Sequence, residues 1–234
     1  MPAANLIVLV SCQNNSISAP TDNQGNGSAT FVVYGVNSRF TSIHYYFAPN
    51  TNPSHTFTLT NTGNNPALAV LAFSGAVTTP LDQSAGNGTT TNSDQGVVTG
   101  SITPTTDGQL LVAGRGGPFA ATGLAIDSGF GIDDYIPAGS FLSVASAHFV
   151  QTSHVPINPN WTWTSSDPAS ACIASFKGSG WTPVAHTAAQ TTDGNTVTTS
   201  PINTAGAVAP VAPFIPGRRR SPFLIRRKLY VKTG

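Results

Sequence analysis

Glutamate is absent from the chain, so all nine acidic groups are aspartates. A paired-carboxylate catalytic site would have to be built from Asp alone. Asp133 and Asp134 are the only adjacent pair, and neighbours on a strand point to opposite faces, so one of them would leave any shared site. Cysteine is nearly absent too. Cys12 and Cys172 are too few for a disulfide framework or a thiolate zinc site. They read as small buried thiols, with a disulfide between the first and last sandwich strands as the alternative. The five histidines, at 44, 55, 148, 154 and 186, form no HxH, HExxH or Cys/His cluster, and no Gly-x-Ser-x-Gly elbow is present. Gly114-Arg-Gly-Gly117 lacks the lysine and following helix of a phosphate loop. Long apolar runs are missing as well. Leu6–Val10 is too short for a membrane span or a signal-peptide core, so neither membrane association nor export by the usual route is expected. No window holds a 3.6-residue period, which makes helix scarce.

What is present is strand grammar. Thr56-Phe-Thr-Leu-Thr-Asn61 alternates threonine with large apolar residues, placing Phe57 and Leu59 on one face. Ala67–Gly75 is continuously apolar, as in a strand buried on both faces. The turn residues Thr62–Pro66 between them predict a central hairpin. Further strands are predicted over Asn5–Cys12, Phe31–Val36, Ser42–Ala48, Gly96–Thr103, Gln109–Gly114, Phe141–Val150, Trp161–Thr164, Ala171–Phe176 and Asn195–Thr199. In the first of these, Leu6, Val8, Val10 and Cys12 share a face. Thr78–Asp94 reads as a polar crossing loop, and Arg115–Asp134 as irregular Gly-rich chain. About ten short strands at regular spacing predict an all-β sandwich or barrel.

Charge divides the chain. Residues 1–217 hold three basic residues (Arg39, Arg115, Lys177) against the nine aspartates, while Arg218–Lys232 holds the other seven of the ten basic residues. An acidic body with a basic tail suggests an interaction arm. Ala205–Pro216 reads as a semi-rigid Pro-rich linker. Beyond it, Arg218, Arg219, Arg220, Arg226, Arg227 and Lys228 interleave with Phe223, Leu224, Ile225 and Tyr230, and these ten are the candidate anchoring residues. The basic groups suit either nucleic-acid phosphates or an acidic protein surface. An acidic body favours the protein partner. The organisation expected is a sandwich over 1–182, an additional strand segment over 183–206, and a linker with anchoring tail over 207–234.

Two weaker sites complete the inventory. Trp161 and Trp163 share a face and, if exposed, would stack on sugar rings; packing in a core or an interface is the competing reading. Asp127, Asp133 and Asp134 are candidate ligands for a hard cation such as Ca²⁺, against a solvated loop. No cofactor is implied.

Several segments, taken in order, are similar to a jelly-roll module found in large bacterial surface proteins and in phage virion proteins. They are Leu6–Val10, Ala19–Asn26, Ala69–Gly75, Pro80-Leu-Asp-Gln83, Gln109–Ala113 and Ala171–Lys177. The resemblance spans residues 5–177 and implies a jelly-roll-like antiparallel sandwich with a structural or adhesive role and no shared catalytic set. One departure stands out. The module's opening strand resembles Ala188–Gly206, which here follows the body, as in a circular permutation. That segment either completes its own sandwich or fills the edge of a neighbouring copy. The expectation is a non-enzymatic structural subunit of a phage-like virion, a capsid decoration or tail-associated protein assembled in the host cytoplasm, whose partners are copies of itself and other virion proteins. The alternative is a carbohydrate-binding or adhesive module at a bacterial surface.

Overall fold

The computed structural model describes residues 2–35, 39–62, 65–89, 91, 93–137, 142–191 and 194–206. It is an all-β antiparallel sandwich. Its strands are β1 (Leu6–Asn14), β2 (Thr21–Asp22), β3 (Thr30–Gly35), β4 (Arg39–Phe47), β5 (Phe57–Thr60), β6 (Ala67–Gly88), β7 (Gly96–Val98), β8 (Leu110–Gly117), β9 (Ala125–Ile126), β10 (Gly131–Ile136), β11 (Ser143–Val150), β12 (Asn160–Thr162), β13 (Ser170–Gln190) and β14 (Thr196–Thr198). Among the described residues, no helix is long and apolar enough to cross a membrane.

One eight-stranded sheet, ordered β10-β11-β8-β13-β6-β1-β4-β3, forms the body. Its spine is the long antiparallel pair β6 and β13, which bends and so folds the sheet onto itself. Four register shifts between Ser175 and Ala185 mark the bend. Gly75 sits there at φ +118°, in the left-handed half of backbone space. A Cβ on Gly178 would lie 2.2 Å from the Gly75 carbonyl oxygen. Past the bend, β13 residues 182–190 pair with β6 residues 67–74, beside β1 and β4. Before it, β13 residues 170–176 pair with β6 residues 81–88 and with β8.

The two halves of the folded sheet meet face to face. Leu6, Val8, Val10 and Cys12 of β1 join Ala69, Leu71, Leu110, Val112, Val144, Ala174 and Phe176 in one buried cluster. The approach is close because β8 ends in glycine. A Cβ on Gly114 would lie 2.4 Å from Val10 Cγ1, and one on Gly116 would lie 2.5 Å from Cys12 Sγ. Both cysteines are free and buried in this cluster. Burial pushes the Cys12 thiol up to about 12 and Cys172 higher still, so both stay protonated and unreactive.

Alternate residues of the same strands point the other way, which is why these strands read as apolar throughout. Ile7, Leu9, Leu68, Val70 and Ala72 pack beneath the small sheet β14-β5-β2, against Phe57, Leu59 and Val197. Leu111, Ala113, Ala145, Ala147, Ala171 and Ile173 pack beneath the sheet β7-β12-β9, against Val97, Trp161 and Trp163. Three apolar clusters thus separate four β layers.

Four sequence expectations change. β5 and β6 are not a hairpin. β5 pairs with β14 and β2, and faces β6 across a cluster. The link between them turns the chain from one layer to the next, tied by the Asn61 amide to Gln13 Oε1 and to the Ser16 carbonyl. Residues 78–88, expected as loop, continue β6. Here β6 is the outer strand of its half-sheet, and an outer strand needs ladder bonds but few apolar side chains. The stretch 115–134, expected as irregular, contains the end of β8, all of β9 and part of β10. Glycine at the end of β8 is there for lack of room rather than for a turn. The segment after 182 is no separate piece in this structure: β13 runs across that position, and β14 pairs with β5 of the same chain.

A buried polar row crosses β1 and β4 beside the apolar clusters. The Ser42 hydroxyl lies 3.0 Å from His44 Nε2 and 2.7 Å from Ser11 Oγ, which accepts from Gln13 Nε2 at 2.9 Å. Burial pushes His44 down to about 4. In the unfolded chain a histidine titrates near 6.5. The folded state therefore holds fewer protons between those values. The His44 contribution is fully present above about pH 6.5 and is lost as pH falls towards 4, by up to about 3 kcal/mol. Urea midpoints measured across that window will fall less steeply for His44→Gln than for the native chain.

Candidate functional site

The residue sets named from sequence fare differently. Trp161 and Trp163, the candidate sugar platform, are 0% and 3% exposed. They are corrected to core residues. β12 lies over the sheet, and both indoles fill the cluster between the two layers. Trp163 Nε1 donates to the Asp94 carbonyl at 3.1 Å. Trp181 lies elsewhere, edge-on to Phe73, and donates to the Gly108 carbonyl at 3.0 Å.

The candidate cation ligands do not converge. Asp127 accepts from Ser128 Oγ and the Asn160 amide, each at 2.8 Å. Asp133 lies 2.7 Å from His148 Nδ1, and Asp134 lies 2.9 Å from His186 Nδ1. Each carboxylate has its own local partner. Among the described residues, no group of three His, Cys, Asp or Glu is placed to hold an ion. The anchoring candidates at 218–230 lie outside the described residues.

The structure brings together two polar clusters that no spacing announced. The first is Arg115, one of three basic residues of the body. It is fully buried, with Nη1 2.8 Å from Ser143 Oγ, Nη2 bonded to Asp167 Oδ2, and its guanidinium 4.5 Å over the Trp163 ring. Burial pushes the Asp167 carboxyl up against the opposing pull of the Arg115 charge. This pair clamps the 163–169 loop onto the end of β8.

The second, among the described residues, centres on a histidine. His55 Nε2 lies 2.7 Å from Asp22 Oδ2, and His55 Nδ1 lies 2.9 Å from Thr204 Oγ1. A carboxylate can only accept, so Nε2 carries a proton toward Asp22, while Nδ1 faces the threonine hydroxyl, which also donates to the Asn52 carbonyl at 3.2 Å. Hydroxyl, imidazole and carboxylate are thus connected as in a nucleophilic triad. All three side chains are sealed from solvent, and the ring stacks 4.2 Å from Phe57. A substrate has no route to this hydroxyl. What the cluster does is tie four distant segments together. Ile202 and His55 exchange backbone hydrogen bonds, the Thr204 amide donates to Asn52, and the Ala4 amide donates to the Thr204 carbonyl at 2.9 Å. Asp22 also accepts from the amides of Gln24 and Asn26. The last described residues are therefore fastened beside the first.

Comparison of the chain with protein-family models, with curated proteins and with solved structures found no match.

Proposed function

We propose that this protein is a non-enzymatic structural subunit of a phage-like particle, a capsid-decoration or tail-associated protein held to the assembly by its C-terminal arm. The observation that carries the reading is the fastening of Thr204 to Ala4, Asn52 and His55. The segment holding seven of the ten basic residues therefore departs from a fixed point on a body whose described residues hold eight of the nine aspartates. That point lies at one end of the sandwich. β1 starts there, with Leu6 opposite Phe47 and Phe73. At the far end of β1, Cys12 meets Thr41 and Ala67, and the Thr41 hydroxyl bonds Ser170. A tethered subunit so built presents its opposite end outward. Neighbouring copies complement one another, basic arm against acidic body. The sugar-binding alternative loses the two tryptophans on which it rested.

Light scattering at low salt on the full chain and on a chain ending at Gly206 tests this. The full chain is expected to assemble, salt is expected to weaken the assembly, and the shorter chain is expected to remain a folded monomer. Monomers in both preparations would overturn the reading.

A further inference from the structure

The Asp22–His55–Thr204 cluster has no access for a substrate, yet it is more elaborate than the burial of one imidazole requires. We propose that it is a strap: residues 199–206 form a locally detachable segment whose closure on the body, and with it the arm's point of departure, is set by the Asp22–His55 pair.

The segment's other attachments are few. Beyond the three-residue β14 it has no strand ladder, only the isolated bridge between His55 and Ile202. Thr199 adds two bonds to Phe57, donating from its amide and accepting at Oγ1. Ile202 contributes the apolar contact, in the cluster with Ala4 and Phe57. Everything else converges on Thr204, which bonds residues 4, 52 and 55. Segments tied by so few backbone bonds open locally at far lower cost than the whole fold. Peeling the chain back from Gly206 to Ser200 disturbs no pairing in the eight-stranded sheet.

Asp22 controls the closure because its carboxylate orients the ring. Loss of that charge weakens the acceptor that holds Nε2 and, with it, the ring orientation that turns Nδ1 to Thr204. The titratable group facing His55 is Asp22 from β2; Tyr46 from β4 packs on Phe57, and its hydroxyl donates to the Pro20 and Gly27 carbonyls that shape the Asp22 loop. Burial pushes the Asp22 carboxyl up, and hydrogen bonds from Asn26 and His55 more than reverse this, holding it below the usual carboxylate range. A depressed carboxyl stabilises the closed strap above the ordinary Asp range, and that stabilisation is lost as pH falls through the folded-state value. The strap stays shut at neutral pH and opens in strong acid. None of this depends on what the arm binds.

Hydrogen exchange read by mass spectrometry on the full chain decides it. In Asp22→Asn, the amides of Ala4, Ile202 and Thr204 are expected to exchange about tenfold faster or more, while those of Val8–Val10 in β1 keep their native rates. Thr204→Val, which leaves the Asp22–His55 bond intact, should loosen the same amides to a smaller extent. Corrected for intrinsic rates, native-chain protection at these sites should fall in acid before that of β1, and Asp22→Asn should lack the step. Unchanged exchange at Ile202 and Thr204 in Asp22→Asn would overturn the strap. So would an equal rise in β1, which would make the cluster part of the global fold.

Discussion

A chain ending at Thr182 is expected not to fold, whereas one ending at Gly206 is expected to fold like the full protein. The shorter end cuts β13 in the middle. It removes the partner of β6 along residues 67–73, a segment paired on both sides in the intact chain. It also removes β14 from β5, together with Val197 and Ile202 from the cluster that covers Phe57, Leu59, Leu68 and Val70. Phe57 and Leu59 are both 0% exposed in the intact protein. Uncovering a Phe or Leu side chain costs roughly 1.5–3 kcal/mol, so a few such losses rival the whole stability of a typical domain, about 5–15 kcal/mol. The new edge of β6 would be apolar and unpaired, a template for aggregation. Soluble expression and circular dichroism of the two truncations read the outcome. A soluble, β-rich 1–182 chain with a cooperative melt would show that the second half of β13 is dispensable.

Arg115→Met is expected to destabilise the protein by about 3–5 kcal/mol, the cost of leaving one member of a buried ion pair alone. The guanidinium is held by Asp167 and Ser143 and stacks on Trp163, so methionine fills part of the volume and replaces none of the charge. Asp167, already pushed up by burial, is left without its opposing cation and takes up a proton on folding. A carboxyl with a raised folded-state value is most destabilising when ionised, so the defect should be largest at neutral pH and shrink as pH falls. The double variant Arg115→Met, Asp167→Leu removes both charges and should recover much of the loss, since well-packed apolar replacements of buried pairs are often neutral. Urea denaturation of the two single variants and the double variant closes the cycle. A double variant as unstable as the sum of the singles would mean that the pair contributes packing alone.

Strands buried on both faces were plain in the sequence, because β1, the first half of β6 and the start of β13 are apolar at every position or nearly so. The alternation in β5 was equally plain, and Phe57 and Leu59 are indeed its inward residues. Partners were harder. A turn between two strand-like stretches predicts a hairpin, yet β5 and β6 lie in different layers, and nothing local distinguishes the two outcomes. The polar half of β6 was unreadable as strand because ladder bonds come from the backbone and leave little trace in side-chain type. Tryptophan burial depended on whether another layer lay beneath β12, a fact of tertiary structure. The Arg115–Asp167 and Asp22–His55–Thr204 clusters assemble from residues far apart in the chain. In a chain with few charges, a lone arginine among glycines at the end of an apolar run, as Arg115 is, was the one available signal of a buried partner.

The bent spine has a consequence for how the chain reaches this state. β6 lies in the first half of the sequence and β13 in the last third, yet each spans both halves of the sheet. Thr41 and Ser170, which bond across the sandwich, are separated by 129 positions. One half-sheet cannot close until β13 residues 170–176 are available and the other not until residues near 190, so little of the body can be completed while the chain is still being synthesised. Topologies dominated by such distant pairings fold on millisecond-to-second timescales because the loop must close before any contact rewards it. During that interval the apolar run of β6 is exposed. The segment most necessary to the finished sandwich is thus also the one most in need of protection while the protein is being made.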